Sequence, residues 1–491
     1  MMYVNCYLHL KQIKKLIQVK YIFFRMLKHI IALSLLVTAI QGCPQICNCI
    51  GDTISCRNRN LHTVPAFGLS DFHGVKVLDL SFNNFTSLPR NSYTNVHLEK
   101  LLLNNNHLRF MDDETFKGLE NELKHLDISN NQLTSLPLAL GTLSKLKVLN
   151  VSNNFVGNTV LDMTESVMRA LGDTITDFTF GSKMQRTWPV TVTTHLQDLH
   201  RLEVTGLHPS FTIIPSNAFH SFETTLFELS IHNTNLLVVP LGISNLRNLD
   251  ILHFDYNHNT GDQGMLLQSF PTSNHSKLTT LSLKGDSLTV FPRVLRYLKK
   301  LVKFSIDDNP IDFLSESSVE GLSSLRELTL RNCSLERVPA ALATIPHLET
   351  IDLSVNTIET IEQRDLEGFS RIKTLVLSNM PLKYISRDSL RPLHSIKEIT
   401  MNNTLLTEVP RALNFTTTLE KVNLGNDRLD CMCENMVWLL YKVVGCNAKG
   451  TRHFKVFGDC DTIHSTVDDY LTNYAPYCPQ YKEICNIMPY G

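Results

Sequence analysis

The stretch "LKHLDISNNQL", from Leu123 to Leu133, carries the pattern that determines the fold. Its apolar residues Leu126 and Ile128 alternate with polar ones, and alternation with a period of two predicts a short β-strand with one buried face. Leu123 and Leu133 add apolar anchors before and after the strand. Because one such strand cannot bury its own apolar face, it needs neighbouring copies to stack against.

The chain supplies those copies, because the frame L-x-x-L-x-L-x-x-N-x-L recurs along most of its length, with other apolar residues often replacing leucine. Most well-matched copies follow one another at intervals of 23 or 24 residues, as from Leu325 to Leu348 and from Leu348 to Ile372. Such repeats predict a solenoid whose strands align as a parallel sheet on the concave side. The copies number about fifteen and begin at Val75, Leu98, Leu123, Leu146, Ile175, Leu199, Leu226, Leu249, Leu278, Leu301, Leu325, Leu348, Ile372, Ile396 and Leu419.

The ninth position of the frame is asparagine in seven of the copies, as at Asn131 and Asn356, and in one copy it is Cys333. We expect this position to be buried where the strand ends, next to backbone groups that cost about 1–3 kcal/mol each if left unpaired. A buried thiol behaves as a small hydrophobe and a weak donor. The alternatives are a nucleophile, a metal ligand or half of an intermolecular disulfide, and we predict that Cys333 is a structural buried thiol.

The composition is that of an ordinary globular protein, with 43% hydrophobic residues, 19% charged residues and a net charge of −1. It argues against wholesale disorder, and the near-neutral balance gives no reason to expect nucleic acid as a partner. We find no nucleophile-elbow, zinc-protease, phosphate-loop or dinucleotide motif. We therefore expect no enzymatic activity, no cofactor and no metal site.

Residues 1–42 have the pattern of a targeting segment. An uncharged apolar run from Ile30 to Ile40 follows several basic residues and precedes small or polar residues up to Gly42, as in a secretory signal peptide. Translation that begins at Met26 would give a signal of more ordinary length. The alternative is an uncleaved membrane anchor, but spanning requires about 20 apolar residues. We expect a secreted, extracellular mature chain without a membrane span.

The cysteines agree with export, because disulfides persist in oxidising compartments. Cys6 leaves with the signal, and Cys333 stands alone in the repeats. The remaining cysteines form two groups, of four and six, which can pair completely. They are Cys43, Cys47, Cys49 and Cys56 near the start, and Cys431, Cys433, Cys446, Cys460, Cys478 and Cys485 near the end.

The repeats and cysteine groups together resemble the extracellular leucine-rich repeat proteins, such as Slit, the Toll ectodomains and the Nogo receptor. The stretch "CPQICNCIGDTISC" (Cys43–Cys56) resembles the N-terminal cap of that family, and "NDRLDCMCENMVWLL" (Asn426–Leu440) resembles its C-terminal cap. The resemblance implies an α/β fold, namely a curved leucine-rich repeat solenoid (horseshoe) with a parallel concave β-sheet and disulfide-bonded caps. The expected segments are a signal peptide (1–42), an N-terminal cap (43–74), the repeats (75–429), a C-terminal cap (430–485) and a short tail (486–491).

The same resemblance implies four disulfides, Cys43–Cys49, Cys47–Cys56, Cys431–Cys460 and Cys433–Cys478. Cys446 and Cys485 exceed the usual set of the family, and we infer that they pair with each other. The alternative for such clusters is zinc, but a C-x-C pair in a secreted repeat cap is more often part of a disulfide framework.

The exposed strand positions in the middle repeats form the candidate ligand surface. Aromatic side chains there can anchor a protein partner, and charges of both signs can steer it. The alternative is that these positions are polar only because they face water. The candidate ligand-binding residues of the concave face are His253, Asp255, Tyr256, Lys284, Asp307, Asp308, Arg326 and Arg331.

Six N-x-S/T sequons predict N-glycosylation of an exported surface. Asn150 lies between Leu149 and Val151, so a glycan there would project from the concave sheet and move a ligand toward the later repeats or a lateral face. Asn332 neighbours the buried turn, and we expect its modification to be less complete. The six sequons begin at Asn84, Asn150, Asn274, Asn332, Asn402 and Asn414.

In the family that this chain resembles, the repeats bind another protein or a pathogen-derived molecule. The resemblance therefore implies a secreted binding module that recognises an extracellular or cell-surface protein in cell–cell communication or adhesion. One alternative is a soluble innate-immune factor with a microbial ligand. Another is an inhibitory or carrier subunit of a secreted enzyme.

Overall fold

The computed structural model describes residues 43–65, 74–93, 96–274, 276–311, 313–445 and 455–487. The predicted signal peptide, residues 1–42, lies outside them. The chain divides into two compact units. The first extends to Gln132 and includes Pro137–Leu146, and the second comprises Leu133–Leu136 and the chain from Lys147 onward. Both units are stacks of the predicted repeat.

The strands form at the L-x-L core of each repeat, as the frame predicts. In the strand His125–Asp127 the central Leu126 is fully buried and its two neighbours are half-buried, a pattern that recurs in most repeats. Alternate side chains of a strand point to opposite faces, so one face joins the core and the other meets solvent. The strands are β1 Asn48–Ile50, β2 Thr53–Ser55, β3 Val77–Asp79, β4 Ser87–Leu88, β5 Lys100–Leu102, β6 Phe110–Met111, β7 His125–Asp127, β8 Val148–Asn150, β9 Phe155–Val156, β10 Thr159–Val160, β11 Asp177–Phe180, β12 Arg201–Thr205, β13 Glu228–His232, β14 Ile251–Asp255, β15 Thr280–Ser282, β16 Lys303–Ser305, β17 Glu327–Thr329, β18 Thr350–Asp352, β19 Thr360–Ile361, β20 Thr374–Val376, β21 Tyr384–Ile385, β22 Glu398–Thr400, β23 Lys421–Leu429, β24 Lys455–Cys460 and β25 Ser465–Thr466.

The first unit is a parallel sheet with a disulfide-bonded cap. Its strands β2, β3, β5 and β7 are successive parallel neighbours with their central apolar residues in register. β1 pairs antiparallel with β2 and closes that end of the sheet. The disulfides Cys43–Cys49 and Cys47–Cys56 hold the cap, and they are the pairs that the resemblance implies. Away from this sheet, β4 and β6 form a short parallel pair.

The second unit continues the repeat with a longer sheet. Parallel neighbours run from β8 through β11–β18, β20, β22 and β23 to β24, and β25 then pairs antiparallel with β24. The insertion at 157–173 contributes β10, which forms a hairpin with β9, and a helix, Glu165–Leu171. The insertion at 259–276 folds into two short 3-10 turns, Asp262–Gly264 and Leu267–Ser269.

Short helices and turns return the chain between strands. Five 3-10 helices directly follow a proline, whose fixed φ and missing N–H suit the start of a helix. These prolines are Pro137, Pro240, Pro292, Pro339 and Pro410. The α-helices are α1 Glu165–Leu171, α2 Val190–His195, α3 Glu316–Val319, α4 Cys433–Val444, α5 Val467–Asn473 and α6 Pro479–Ile487. The 3-10 helices are Leu138–Thr142, His220–Phe222, Leu241–Asn245, Asp262–Gly264, Leu267–Ser269, Arg293–Tyr297, Ala340–Thr344, Arg411–Phe415 and Ala475–Tyr477.

Where the ninth residue of the frame is asparagine, its side chain can link that repeat to the preceding one, as Asn356 does. The Asn356 carboxamide oxygen accepts hydrogen bonds from the backbone N–H groups of Cys333 at 2.8 Å and Leu335 at 3.0 Å. Its Nδ2 donates to the carbonyl oxygens of Leu330 and Leu353, both at 2.7 Å. One buried side chain thus satisfies backbone groups in two repeats, which is why asparagine recurs at this position.

The C-terminal cap covers the last repeats of the second unit. The helix α4 contains Trp438 and packs against the 3-10 helix Arg411–Phe415. The disulfides Cys431–Cys460 and Cys433–Cys478 tie it to β24 and to the end of the cap, as the resemblance implies. Cys485 also takes part in a disulfide, whereas its inferred partner Cys446 lies outside the described residues. In the described part of the chain, no helix has the length and apolar character needed to cross a bilayer.

Candidate ligand-binding surface

The eighth residue of the frame adopts a left-handed backbone conformation in most described repeats. Asparagine tolerates this conformation, which costs most other residues about 1–2 kcal/mol. The asparagines concerned, with φ between 51° and 59°, are Asn105, Asn130, Asn153, Asn233, Asn332, Asn379 and Asn403. In the middle repeats Tyr256 and Asp308 take this position instead, each with a φ of 58°. Phe82 and Val355 have the same conformation at this position, so it is also open to an aromatic and a β-branched residue.

Tyr256 reaches across a whole repeat. Its hydroxyl donates a hydrogen bond of 2.9 Å to Oδ2 of Asp308, two repeats further along the chain. The other carboxylate oxygen, Oδ1, accepts a hydrogen bond of 2.9 Å from Nδ2 of Asn332 in the next repeat. The repeat between Tyr256 and Asp308 places Gly285 under the ring, where a Cβ would lie 2.4 Å from Cδ1 of Tyr256. Glycine at this position therefore leaves room for the Tyr256 ring.

The surroundings of Tyr256 are acidic. The hydrogen bond to Asp308, followed by partial burial and the charges of Asp308, Asp255 and Asp307, raises the pKa of Tyr256 to about 12. The phenol therefore stays protonated at physiological pH and can act as the donor to Asp308. The tyrosine remains 36% exposed, so part of the ring is open to a partner.

Two of the predicted ligand residues form hydrogen bonds with the backbone of the next repeat. Oδ1 of Asp255 accepts hydrogen bonds from the backbone N–H of Lys284 at 2.8 Å and from the Ser282 hydroxyl at 2.6 Å. Asp307 is only 6% exposed, and its Oδ1 accepts a hydrogen bond of 2.9 Å from the backbone N–H of Arg331. Their spacing predicts solvent-facing side chains, but both carboxylates point along the sheet to the next strand.

Most of the other predicted ligand residues lie close to Tyr256, whereas Arg326 lies apart from them. Lys284 lies 3.4 Å from Asp307, and Arg331 lies 3.9 Å from Asp352. His253 lies on β14 beside Asp255, at 3.9 Å. Arg326 lies at the entry to β17, where it pairs with Glu349. We use "Tyr256 patch" for the exposed or half-exposed residues His253, Tyr256, Lys284, Asp308 and Arg331.

Sequence reasoning missed two contributors to this patch. Asn332 was predicted only as a sequon, although its side chain holds Asp308. Gly285 did not stand out as an isolated glycine, although it makes room for the Tyr256 ring. The available signal was the eighth position of the frame, where a tyrosine, a glycine and an aspartate follow one another in three consecutive repeats.

Cys333 is buried behind this surface. It is fully buried and is not part of a disulfide, and its Sγ lies 3.5 Å from the carbonyl oxygen of Ile306 and 3.4 Å from that of Arg331. Burial, the largest cause, raises the pKa of the thiol to about 12. The thiolate, which is the reactive form of cysteine, is therefore scarce at neutral pH.

The sequons differ in exposure. Asn274 and Asn414 are exposed, and Asn84, Asn150 and Asn402 are half-buried. Oδ1 of Asn150 accepts hydrogen bonds from the backbone N–H and the hydroxyl of Ser152, at 3.1 and 2.8 Å. As expected for its place on β8, Asn150 lies on the solvent-facing side of the sheet. Among the described residues, no three histidine, cysteine or acidic side chains are grouped so that they could hold a metal ion.

Comparisons with known proteins point to the same repeat. The family model described as leucine rich repeat matches residues 96–155 and 323–382. Leucine-rich repeat-containing protein 3 of Danio rerio is 32% identical over 120 residues, which cover 23% of this chain and 42% of that protein. Oligodendrocyte-myelin glycoprotein of Homo sapiens is 28% identical over 239 residues, which cover 43% of this chain and 50% of that protein. A solved structure of the Toll–Spatzle complex of Drosophila is 16% identical, with a TM-score of 0.47, and the match covers 80% of this chain and 59% of that chain.

This chain spans half or less of the length of those two relatives. The matched family segments fall on repeats whose strands and ninth-position hydrogen bonds are described above. One of these repeats contains Cys333. Disulfides close the ends of the sheets in both units. The chain therefore contains leucine-rich repeats stacked as a solenoid and is similar to leucine-rich repeat proteins of the ectodomain type, with disulfide-bonded caps on both sides of the repeats.

Proposed function

We propose that this chain is an extracellular binding module that recognises a protein ligand through the Tyr256 patch, in cell–cell communication or adhesion. The observation that carries the proposal is the hydrogen bond from Tyr256 to Asp308 across an intervening repeat. It fixes a partly exposed aromatic ring against the neighbouring repeats.

A fixed tyrosine is well suited to anchor a protein partner. Tyrosine is enriched among the residues that dominate binding energy, because it offers a large amphipathic surface with few rotatable bonds. Since its ring is already held by Asp308 and Gly285, binding need not order it, and the entropic cost of association is reduced. Lys284 and Arg331 lie beside Asp307 and Asp352, so the patch carries charges of both signs that can steer a partner of complementary charge.

Predicted glycans fit a ligand on these later repeats. The Asn150 side chain faces solvent on β8, so a glycan there would cover an early part of the sheet. Asn332 donates to Asp308 through the same nitrogen that would carry a sugar. We therefore propose that Asn150 is glycosylated and that Asn332 remains unmodified in the binding-competent protein.

We also propose a role that does not involve catalysis. The two relatives above are named as a repeat-containing protein and a myelin glycoprotein. The free thiol Cys333 is buried and its pKa is raised, which does not suit a nucleophile. The binding surface, rather than a reactive group, is the feature that the repeats supply.

The test uses the chain from Cys43 onward, expressed with its glycans, as a labelled bait. Its binding is measured in parallel on host cell surfaces, host secreted proteins and microbial surfaces. Saturable binding to a host protein that is weakened by Tyr256→Phe supports the proposal. Binding confined to microbes would favour an innate-immune factor, and binding only to a secreted enzyme would favour an inhibitory or carrier subunit.

A further inference from the structure

A groove lies on a lateral surface of the late repeats, separate from the residues of the Tyr256 patch. It has a volume of about 300 Å³. It runs between β21 and the corresponding segment of the next repeat, Leu406–Arg411. Its floor is apolar, because Ile385, Leu406 and Val409 are 6%, 4% and 2% exposed and Pro410 is buried beside them. Tyr384, at 54% exposure, forms one wall. The groove therefore offers an aliphatic and aromatic surface to a ligand.

The rim of this groove is positively charged. Its lining contains three cationic side chains, Lys383, Arg387 and Arg411, against one carboxylate, Glu408. Lys383 is paired with Glu359 at 3.0 Å. In the described part of the chain neither arginine forms an ion pair with a carboxylate. Two guanidinium groups are thus left with donors for an anionic ligand.

The contacts of the two arginines hold them at the groove without neutralising them. The Arg387 guanidinium lies 5.7 Å from the centroid of the Phe415 ring. Arg411 donates a hydrogen bond of 3.1 Å to the carbonyl oxygen of Glu434. Each arginine carries five N–H groups, so these contacts leave donors free for carboxylates.

We propose that this groove binds an extended, acidic peptide segment of a protein partner. Its carboxylates pair with Arg387 and Arg411, and its aliphatic side chains pack beside the exposed Tyr384 over the apolar floor. A surface with an apolar floor and a cationic rim complements a peptide that alternates acidic and aliphatic residues. This inference concerns a second surface and does not depend on the ligand of the Tyr256 patch.

The test measures binding of two fluorescent synthetic peptides to the chain from Cys43 onward by fluorescence anisotropy. One peptide alternates glutamate with leucine, and in the other glutamine replaces every glutamate. We expect saturable binding of the acidic peptide alone, weakened by added salt. Arg387→Gln and Arg411→Gln should each weaken it by about tenfold, the loss of one charge-assisted hydrogen bond.

Arg293→Gln is the matched control. Arg293 is exposed and follows Pro292 at the start of a 3-10 helix, as Arg411 follows Pro410. This variant should bind the acidic peptide like the unaltered chain, and thermal unfolding of all three variants should show an intact fold. The proposal is overturned if the acidic peptide does not bind, if the glutamine peptide binds equally well, or if Arg387→Gln and Arg411→Gln have no more effect than Arg293→Gln. Binding of a sulfated heparin oligosaccharide, but not of the peptide, through the two arginines would instead assign the groove to a glycan.

Discussion

The Tyr256 hydroxyl donates a hydrogen bond to the Asp308 carboxylate at 2.9 Å, although 52 residues separate them in the chain. The intervening repeat contributes only Gly285 beneath the ring. This arrangement connects three repeats through one aromatic side chain on the surface. The φ of 58° at Tyr256 is the one that the eighth position of the frame has in most described repeats.

Replacing Gly285 with alanine should disturb this arrangement. The new Cβ would lie 2.4 Å from Cδ1 of Tyr256, and Gly285 itself has a φ of +61°. Because the ring must move and the backbone is strained, we expect a loss of about 2–3 kcal/mol in the free energy of unfolding. Urea unfolding measures it.

Gly157→Ala is the control for Gly285→Ala. Gly157 has a similar φ of +56°, but an added Cβ there meets nothing within 4 Å. This variant should lose only the backbone contribution, about 1 kcal/mol. Equal losses in the two variants would mean that Tyr256 does not rest on Gly285.

The repeat frame predicted the strands and their stacking because both depend on local periodicity. A strand at His125–Asp127 follows from alternating residues, and the asparagine ladder follows from a fixed offset within each repeat. The bond between Tyr256 and Asp308 could not be predicted in this way, because it depends on side-chain reach across two repeats. The same holds for Asp307, whose position implies exposure but whose carboxylate turns to the Arg331 amide.

The insertions and the late groove were also beyond the periodic signal. Residues 157–173 break the frame, and their hairpin and helix are set by packing within the second unit. Arg387 and Arg411 occupy irregular return segments in two different repeats, so only the three-dimensional stacking shows that they line one groove. The repeated sequence pattern thus predicted the strands and their stacking, whereas the candidate binding sites depend on side-chain contacts between repeats.

Asp286 should make the stability of the protein depend on pH. It is fully buried at the ninth position of the frame, where several other repeats have asparagine, and burial raises its pKa to about 9. Its Oδ1 accepts a 2.8 Å hydrogen bond from the Asn257 N–H, but its buried Oδ2 has no partner in the described structure. The unfolded pKa is about 3.9, so the folded state retains a proton that the unfolded state releases as pH rises. Stability should therefore fall as pH rises from about 4 to about 9.

Asp286→Asn should remove this dependence. An asparagine at this position can donate through Nδ2 as Asn309 does to the Leu283 carbonyl, at 2.7 Å. At neutral pH we expect a gain of about 1–3 kcal/mol over the unaltered chain. The measurement is urea unfolding of both proteins between pH 5 and pH 9. Parallel pH profiles would contradict the assignment of the dependence to Asp286.

Cys333 should resist thiol reagents while the protein is folded. Its Sγ is fully buried and its pKa is raised to about 12, so neither access nor thiolate is available. A chromogenic disulfide reagent at mildly alkaline pH should label it only after denaturant is added. Cys333→Ala is the control that assigns the labelling to this thiol, because the variant should not be labelled even after denaturant is added. Rapid labelling of Cys333 in the native protein would instead indicate a reactive thiol.

Removing the Asn150 sequon should not abolish partner binding. Asn150 lies on β8, whereas the Tyr256 patch lies on later repeats of the same unit. With Asn150→Gln we expect a loss of one glycan, seen as a mass shift, and a partner affinity within about threefold of the original. Asn274→Gln, at an exposed sequon in the insertion, is the matched control. Loss of binding in Asn150→Gln alone would place the ligand on the early repeats.

The most direct measurement is the partner affinity of Tyr256→Phe, Asp308→Ala and the double variant, with Tyr297→Phe as the control. Tyr297 is 47% exposed and lies outside the Tyr256 patch. If the patch binds a protein ligand through a preorganised tyrosine, each single change should weaken binding by about tenfold. The double variant should lose less than the sum of the two, because both changes remove the same hydrogen bond. If Tyr256→Phe and Asp308→Ala both bind like Tyr297→Phe, the Tyr256 patch is not the ligand-binding surface.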